Sequence, residues 1–278
     1  MKKRIIILSV IAALLVIFTL WMIWGNVAVT VSDYRVKSSD LPEAFDGFRI
    51  CQVSDLHNDE LGEDSERLIN AIKDTDPDVI VLTGDLVDRN RTNIDVTVTF
   101  AKQAVKIAPT YYVNGNHEAA IPEDYAVLKE MLVSVGVVVL ENESVTIERG
   151  GEYIRLIGLN DQNFGYIQSN EELCELRGEE GDFSILLAHR PTDFAQYATC
   201  DFDLVFSGHL HGGQFRLPFL GGLYAPSYGL FPEYDGGLYE REDSVLIVSR
   251  GVGNSSFPIR FNNPREIVIV ELAKGEKQ

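Results

Sequence analysis

The sequence predicts an α/β protein with two packed sheets, carried behind an N-terminal helix that crosses a membrane, and three observations support this. Short apolar runs alternate with amphipathic stretches of helical period through the first half of the chain. Polar turns at Asp55, Asp85 and Asn116 recur about every 30 residues, roughly the length of one strand–helix–strand unit. Beyond Val137 the alternation gives way to β-branched runs, which calls for a second sheet against the first.

The first element is the uncharged run from Ile5 to Trp24, which follows Lys2-Lys3-Arg4. As a helix it extends about 30 Å, the thickness of a bilayer core. Trp21 and Trp24 would sit at its far interface, and the basic cluster marks a cytoplasmic N-terminus, so the body would lie on the extracytoplasmic side. A cleaved signal peptide is the alternative, but its apolar region is normally shorter and no small-x-small site follows before Val31. Residues 1–30 are therefore assigned to a retained anchor and residues 31–278 to one body without a convincing linker.

Strands are expected at 48–53, 79–83, 110–113, 185–188 and 204–206, each bounded by turn residues. Helices are expected at 63–74, 94–108, 124–135, 171–176 and 192–198; the third follows Pro122 and stops at Gly136. Residues 137–158 read as a hairpin around Gly150-Gly151, with further strands at 244–249 and 266–272 and a polar tail over 274–278. This arrangement sets successive polar turns at the carboxyl ends of neighbouring strands, where open α/β sheets assemble ligand sites.

With 24 basic and 42 acidic residues the net charge is -18, which disfavours binding to a phosphate backbone, so no nucleic-acid partner is expected. Cys51, Cys174 and Cys200 are too widely spaced for a zinc ribbon. Cys51 reads as a core residue; a Cys174–Cys200 bridge is open if the body is exported, although nothing in the spacing selects it.

All five histidines fall in or beside the acid- and amide-rich turns. These read Asp55-x-His57, Gly84-Asp85-x-x-Asp88-Arg89, Gly115-Asn116-His117-Glu118, a lone His189, and Gly208-His209-x-His211. Carboxylate, imidazole and amide oxygen together suit zinc, manganese or iron rather than calcium or a thiolate-bound metal. A two-metal phosphoesterase needs a bridging carboxylate, flanking imidazoles and a bound water acidified enough to supply hydroxide near neutrality. An extended backbone would direct Asp55 and His57 to one side, and likewise His209 and His211. Gly84, Gly115 and Gly208 each precede a ligand candidate and would let the chain turn sharply toward a metal.

These five motifs, in this order, resemble the calcineurin-like metallophosphoesterase superfamily over the body from about Phe48 to His211, and the anchor with its short body resembles the bacterial membrane-associated phosphohydrolase branch. The resemblance implies a four-layer α-β-β-α sandwich with two mixed sheets and two divalent metal ions. It implies a first metal held by Asp55, His57, Asp85 and His211, and a second by Asp85, Asn116, His189 and His209, with Asp85 bridging. His117 would hydrogen-bond the phosphate or protonate the leaving oxygen, with Asp88 orienting it; whether Arg89 reaches substrate is left open.

Taken singly these residues have simpler explanations. His189 alone could be a structural histidine, Asp55 a helix cap, Asn116 a left-handed turn residue, and Asp88 with Arg89 a surface ion pair. Gly251-Val-Gly253 lacks the third glycine of a dinucleotide fingerprint, and the glycosylation patterns Asn142-Glu-Ser144 and Asn254-Ser-Ser256 are too short to weigh. The aromatic-rich segment 215–231 either shapes a substrate groove and touches lipid, or covers the edge of the second sheet.

The expected activity is hydrolysis of phosphodiester or pyrophosphate bonds, with a lipid or cell-envelope precursor as the substrate class because the anchor confines the enzyme to a membrane surface. A nucleotide or small phosphomonoester phosphatase is the alternative. A metal-stabilised binding or scaffold protein of the same fold is the non-enzymatic one.

Overall fold

The computed structural model describes residues 2–165, 169–179, 181–226, 228–255 and 257–276. The last two residues of the expected polar tail, and Ser256 of one glycosylation pattern, lie outside them. The chain runs α1 (Lys2–Val27), β1 (Val29–Ser38), β2 (Arg49–Val53), α2 (Glu66–Asp74), β3 (Val79–Thr83), α3 (Ile94–Ala104), β4 (Thr110–Val113), α4 (Asn116–Ala119), α5 (Pro122–Ser134) and β5 (Val138–Val139). It continues with β6 (Glu143–Arg149), β7 (Glu152–Gly158), α6 (Asn170–Arg177), β8 (Ser184–Leu187), α7 (Phe194–Ala198) and β9 (Leu204–Ser207). Four two-residue strands follow, β10 (Arg216–Leu217), β11 (Gly221–Gly222), β12 (Tyr224–Ala225) and β13 (Gly229–Leu230), then β14 (Gly237–Arg241), β15 (Ser244–Val248) and β16 (Arg265–Lys274).

Two six-stranded mixed sheets result, ordered β1-β16-β2-β3-β4-β5 and β14-β15-β9-β8-β7-β6. Side-chain alternation builds the layers. In β3, Val79 and Val81 face the second sheet, where they join Ile50, Ile185, Leu187, Phe206, Ile247 and Val268 in the central core. Ile80 and Leu82 face the other way, onto Leu68 and Ile72 of α2, Phe100 of α3 and Leu128 and Leu132 of α5. The outer face of the second sheet is covered by Leu173 of α6 and by Phe194 and Tyr197 of α7. The order α-β-β-α is the four-layer sandwich, and strands buried on both faces explain why so many read as continuous apolar runs. Gln52 ties the layers: its side-chain amide donates to Thr83 Oγ1 of its own sheet and to the Ser207 carbonyl of the other.

Several elements depart from expectation. The 63–74 helix opens as a separate turn at Glu63–Ser65, because Asp64 and Ser65 take left-handed backbone angles. The 94–108 helix stops as α3 at Ala104, and the 192–198 stretch is a 3-10 turn, Pro191–Asp193, followed by α7. The Gly-Asn-His-Glu turn is itself the short helix α4. Strand β1 was not expected. It pairs in parallel with β16 from Val29↔Arg265 to Ser38↔Lys274, directly after α1. Cys174 and Cys200 form a disulfide, while Cys51 is free and buried.

No residue of α1 is buried, and the helix is long and apolar enough to cross a bilayer. Its end is fastened to the body. Asn26 clasps the backbone of Arg260 from both sides, accepting from its N–H at 2.8 Å and donating to its carbonyl at 2.9 Å. Arg265 Nε donates to the Asn26 carbonyl, and the Trp21 ring meets Phe261 edge-on at 5.3 Å.

Candidate metal centre

The ligand candidates stand just beyond the carboxyl ends of β2, β3, β4, β8 and β9, all at one edge of the sandwich. Asp55, His57, Asp85, His209 and His211 have φ of 54°, 48°, 51°, 74° and 48°, so they reach the centre through left-handed turns rather than the extended segments expected from their spacing. This conformation costs a non-glycine residue about 1–2 kcal/mol, and such strain concentrates at functional sites. The glycines also act differently from expectation. Only Gly84 has a positive φ, 87°; Gly115 and Gly208 are needed for space, since a Cβ on Gly115 would strike the Asp85 carboxylate and one on Gly208 the Ser54 hydroxyl and the Asp55 carboxylate.

Among the described residues three donor groups converge, two made of the expected ligands and a third of His57, Asp88 and His117. In the first, Asp55, His57 and His211 present atoms to one another, with His211 Nε2 3.4 Å from Asp55 Oδ1 and 3.0 Å from His57 Nε2. In the second, Asp85, His189 and His209 do the same, with His189 Nε2 3.2 Å from Asp85 Oδ2 and 3.1 Å from His209 Nδ1. Asn116 Oδ1 lies 3.3 Å from His189 Nε2, on the second group. Asp85 Oδ2 is also 3.9 Å from His57 Nε2, so one carboxylate stands between the groups. The donor set fits two divalent cations. In the first two groups a pair of ring nitrogens stands 3.0–3.1 Å apart beside a carboxylate, close enough for one cation to take all three as ligands once the rings give up the hydrogens between them.

Protonation follows from burial and partners. Burial holds His57 down at about 3, and His209 and His211 well below the usual histidine range, so all three are neutral donors at pH 7. Burial also opposes charge on His189, but the charge and hydrogen bond of Asp85 outweigh it and push the imidazole up to about 10. His189 in turn holds Asp85 well below the carboxylate range against the cost of its own burial. His189 Nδ1 faces the Thr83 carbonyl at 2.8 Å, so Nδ1 keeps its hydrogen and Nε2 is the atom that would give up its proton to a metal.

His117 stands beside the first group, its ring 4.5 Å from that of His57. Its Nδ1 accepts from the backbone N–H of Arg89 at 3.1 Å, so the neutral ring carries its hydrogen on Nε2, which faces Ser255 Oγ at 3.5 Å. Burial lowers its pKa. The peptide of Arg89 makes this hydrogen bond, and the Asp88 carboxylate lies within 4.8 Å of the donor atoms of His117 and His57. Asp88 shapes that turn, accepting from Asn90 N and from Arg91 Nη2. Glu118 holds the two turns together by accepting from the N–H groups of Asp85, Leu86, Val87 and Gly115.

The centre opens into a cleft of about 270 Å³ lined by Asp85, Asn116, His117, His209, His211, Arg89, Arg190, Asn163, Gln214, Pro226 and Ser255. Arg190 is held in a two-point pair by Asp161, Nε to Oδ2 at 2.7 Å and Nη2 to Oδ1 at 3.1 Å, and donates to the Tyr228 hydroxyl. That hydroxyl is 3.2 Å from His209 Nε2. Arg260 was missed in the sequence: it is buried, its guanidinium donates to the carbonyls of Arg250 and Gly253, and Nη2 lies 3.4 Å from His211 Nδ1. An arginine in the stretch Phe257-Pro-Ile-Arg-Phe261 carries no motif signal.

Residues 48–213 match the sequence profile of the calcineurin-like phosphoesterase family. The chain is 31% identical over 249 residues to the metallophosphoesterase YkuE of Bacillus subtilis (strain 168), a match covering 88% of this chain and 85% of YkuE. It is 29% identical over 235 residues to the phosphodiesterase YaeI of Escherichia coli (strain K12), covering 81% and 82% of the two chains. It is also 29% identical over 260 residues to a transmembrane protein with a metallophosphoesterase domain from Danio rerio, covering 88% of this chain and 57% of that one.

Proposed function

This chain belongs to the calcineurin-like phosphoesterase family and is a metal-dependent phosphoester hydrolase, and on that premise we propose that it cleaves phosphodiester or pyrophosphate bonds of a lipid-linked or cell-envelope precursor at the extracytoplasmic face of a membrane. The observation that carries the reading is the pair of donor groups sharing Asp85 at the floor of an open cleft. We assign Asp55, His57, Asp85 and His211 to one metal and Asp85, Asn116, His189 and His209 to the other. Two divalent cations bound there supply Lewis acidity and a water acidic enough to serve as nucleophile near neutrality.

The chain's own groups do the rest. His117 offers Nε2–H to a phosphoryl or leaving-group oxygen, and the Arg89 peptide keeps the ring in that tautomer. Asp88 has its role through the turn that presents this peptide. Arg190 lines the cleft with its charge matched by Asp161, which leaves Arg89 as the exposed cation of the wall. A cleft with little excess positive charge beyond its metals suits a singly charged diester better than a doubly charged monoester. The similarity to YaeI points the same way. The Cys174–Cys200 disulfide supports an oxidising, extracytoplasmic location for the body.

The test is hydrolysis by the full-length protein with added manganese. Bis-p-nitrophenyl phosphate should exceed p-nitrophenyl phosphate in kcat/KM by roughly tenfold or more, about 1.4 kcal/mol of discrimination. Phospholipid diesters or lipid pyrophosphates in vesicles should exceed both. Preference for the monoester, or for free nucleotides over every lipid substrate, would favour the small-molecule phosphatase reading.

A further inference from the structure

The segments that follow the last ligands leave large apolar side chains in solvent. Phe219 is fully exposed at the tip of the β10–β11 hairpin, Leu220 is 65% exposed beside it, and Ile259 is 52% exposed on the loop before β16. Because they are exposed, they do not simply cover the edge of the second sheet. The two segments are joined. Arg216 N donates to the Phe261 carbonyl, and the Phe215 ring meets Phe257 at 5.8 Å.

This apolar rim is continuous with the membrane helix. Phe261 packs against both Trp21 and Phe18 of α1, with centroids at 5.3 and 6.4 Å. Phe18 lies six residues before Trp24, so Phe261 reaches about 9 Å of helix rise back along the apolar run. If that run fills the bilayer core, part of the body lies at the depth of the interface. The composition agrees. In a chain of net charge -18, residues 215–231 hold a single charged residue, Arg216, and residues 255–261 hold only Arg260, which is buried.

We propose that the β10–β11 hairpin and the 257–261 loop are immersed in the lipid surface beside α1, so that the metal cleft opens onto the membrane. Pro226 and Ser255, which line the cleft, lie four residues after β11 and two residues before the 257–261 loop, so the wall of the site and the immersed rim are a few residues apart in the chain. A phosphate ester attached to a lipid would then reach the centre without leaving the interface. The proposal deepens the lipid-linked reading and rests on insertion of α1, but not on the identity of the substrate.

The experiment is depth-dependent fluorescence quenching. Single cysteines are introduced as Phe219→Cys, Ile259→Cys and, as a control, Val127→Cys on α5, which packs near β5 at the opposite end of the first sheet from β1. Native cysteines do not compete, since Cys51 is buried and the others are paired. The full-length labelled protein is reconstituted into phosphatidylcholine vesicles containing acyl-brominated lipid. Labels at positions 219 and 259 should both be quenched several-fold more than the label at 127. If either matches the control, the proposal is overturned and the rim faces water or a protein. Alkaline carbonate extraction reports α1 insertion separately, so an uninserted helix is distinguishable from an inserted protein whose loops stay dry.

Discussion

In the proposed assignment Asp85 serves both metals with one carboxylate, whereas His117 serves neither as a ligand, so the two should separate in experiment. Asp85→Ala is expected to lose both cations by elemental analysis. His117→Ala should retain both and lower kcat by roughly 10²–10³-fold, the usual scale for a transition-state hydrogen-bond donor; equal metal loss would show that the roles are misassigned. Protonation gives a second outcome. His57, His209, His211 and His117 are all lowered from 6.5 in the fold, so their contribution to stability is present above pH 6.5 and is lost as the pH falls and the unfolded chain takes up protons. His189, raised to about 10, contributes in the opposite sense, with its share complete below pH 6.5 and lost toward 10. Asp55, pushed by burial to about 6, and Glu118, pushed by burial to about 7, take up protons in the fold and offset part of the acid loss. The metal-free protein should therefore lose Tm on acidification from about pH 7 to 5 in scanning calorimetry; a rising Tm would mean the histidines are not neutral. The ligand candidates were readable because all but the lone His189 sit in short motifs, whose order along the chain brought His189 with them. Arg260 was not, since its importance comes from packing against His211 across 49 positions of sequence.

Helices and central strands declared themselves through periodicity, because each has faces of distinct burial. Strand β1 did not. Its inward positions include Ser32 and Ser38, whose hydroxyls pair with the carboxylates of Glu266 and Asp203, so polar residues occupy sites where a pattern argument looks for apolar ones. The turns were visible as glycine-rich, but the reason for each glycine was not, because close approach is a tertiary fact. Gly115 shows the difference. Its φ of -119° suits alanine, yet Gly115→Ala places a methyl group on Asp85. That variant should fold with α4 intact by circular dichroism and bind metal about tenfold more weakly, or worse, by calorimetric titration. Unchanged affinity would show that Asp85 can shift without consequence.

At the level of the whole molecule, the sandwich and its bilayer-length helix followed from sequence, while the Cys174–Cys200 pairing did not, because spacing alone cannot choose partners. The bridge closes a 26-residue separation between α6 and the end of α7. Replacing both cysteines by serine should cost about 2–4 kcal/mol in urea unfolding, and no loss would argue that the body lives in a reducing compartment. Correspondingly, external protease should digest the body in spheroplasts while the cytoplasmic side stays sealed. One further consequence comes from the join between α1 and β1, which is the single residue Ala28, with the strand ladder engaged from Val29 onward. Such a connection has no hinge. On the membrane-bound, lipid-linked reading proposed above, the cleft would ride at constant height and tilt, like a stylus on a track, and the spacing between a substrate's buried tail and its scissile phosphorus would be a ruler that selects what can be cut.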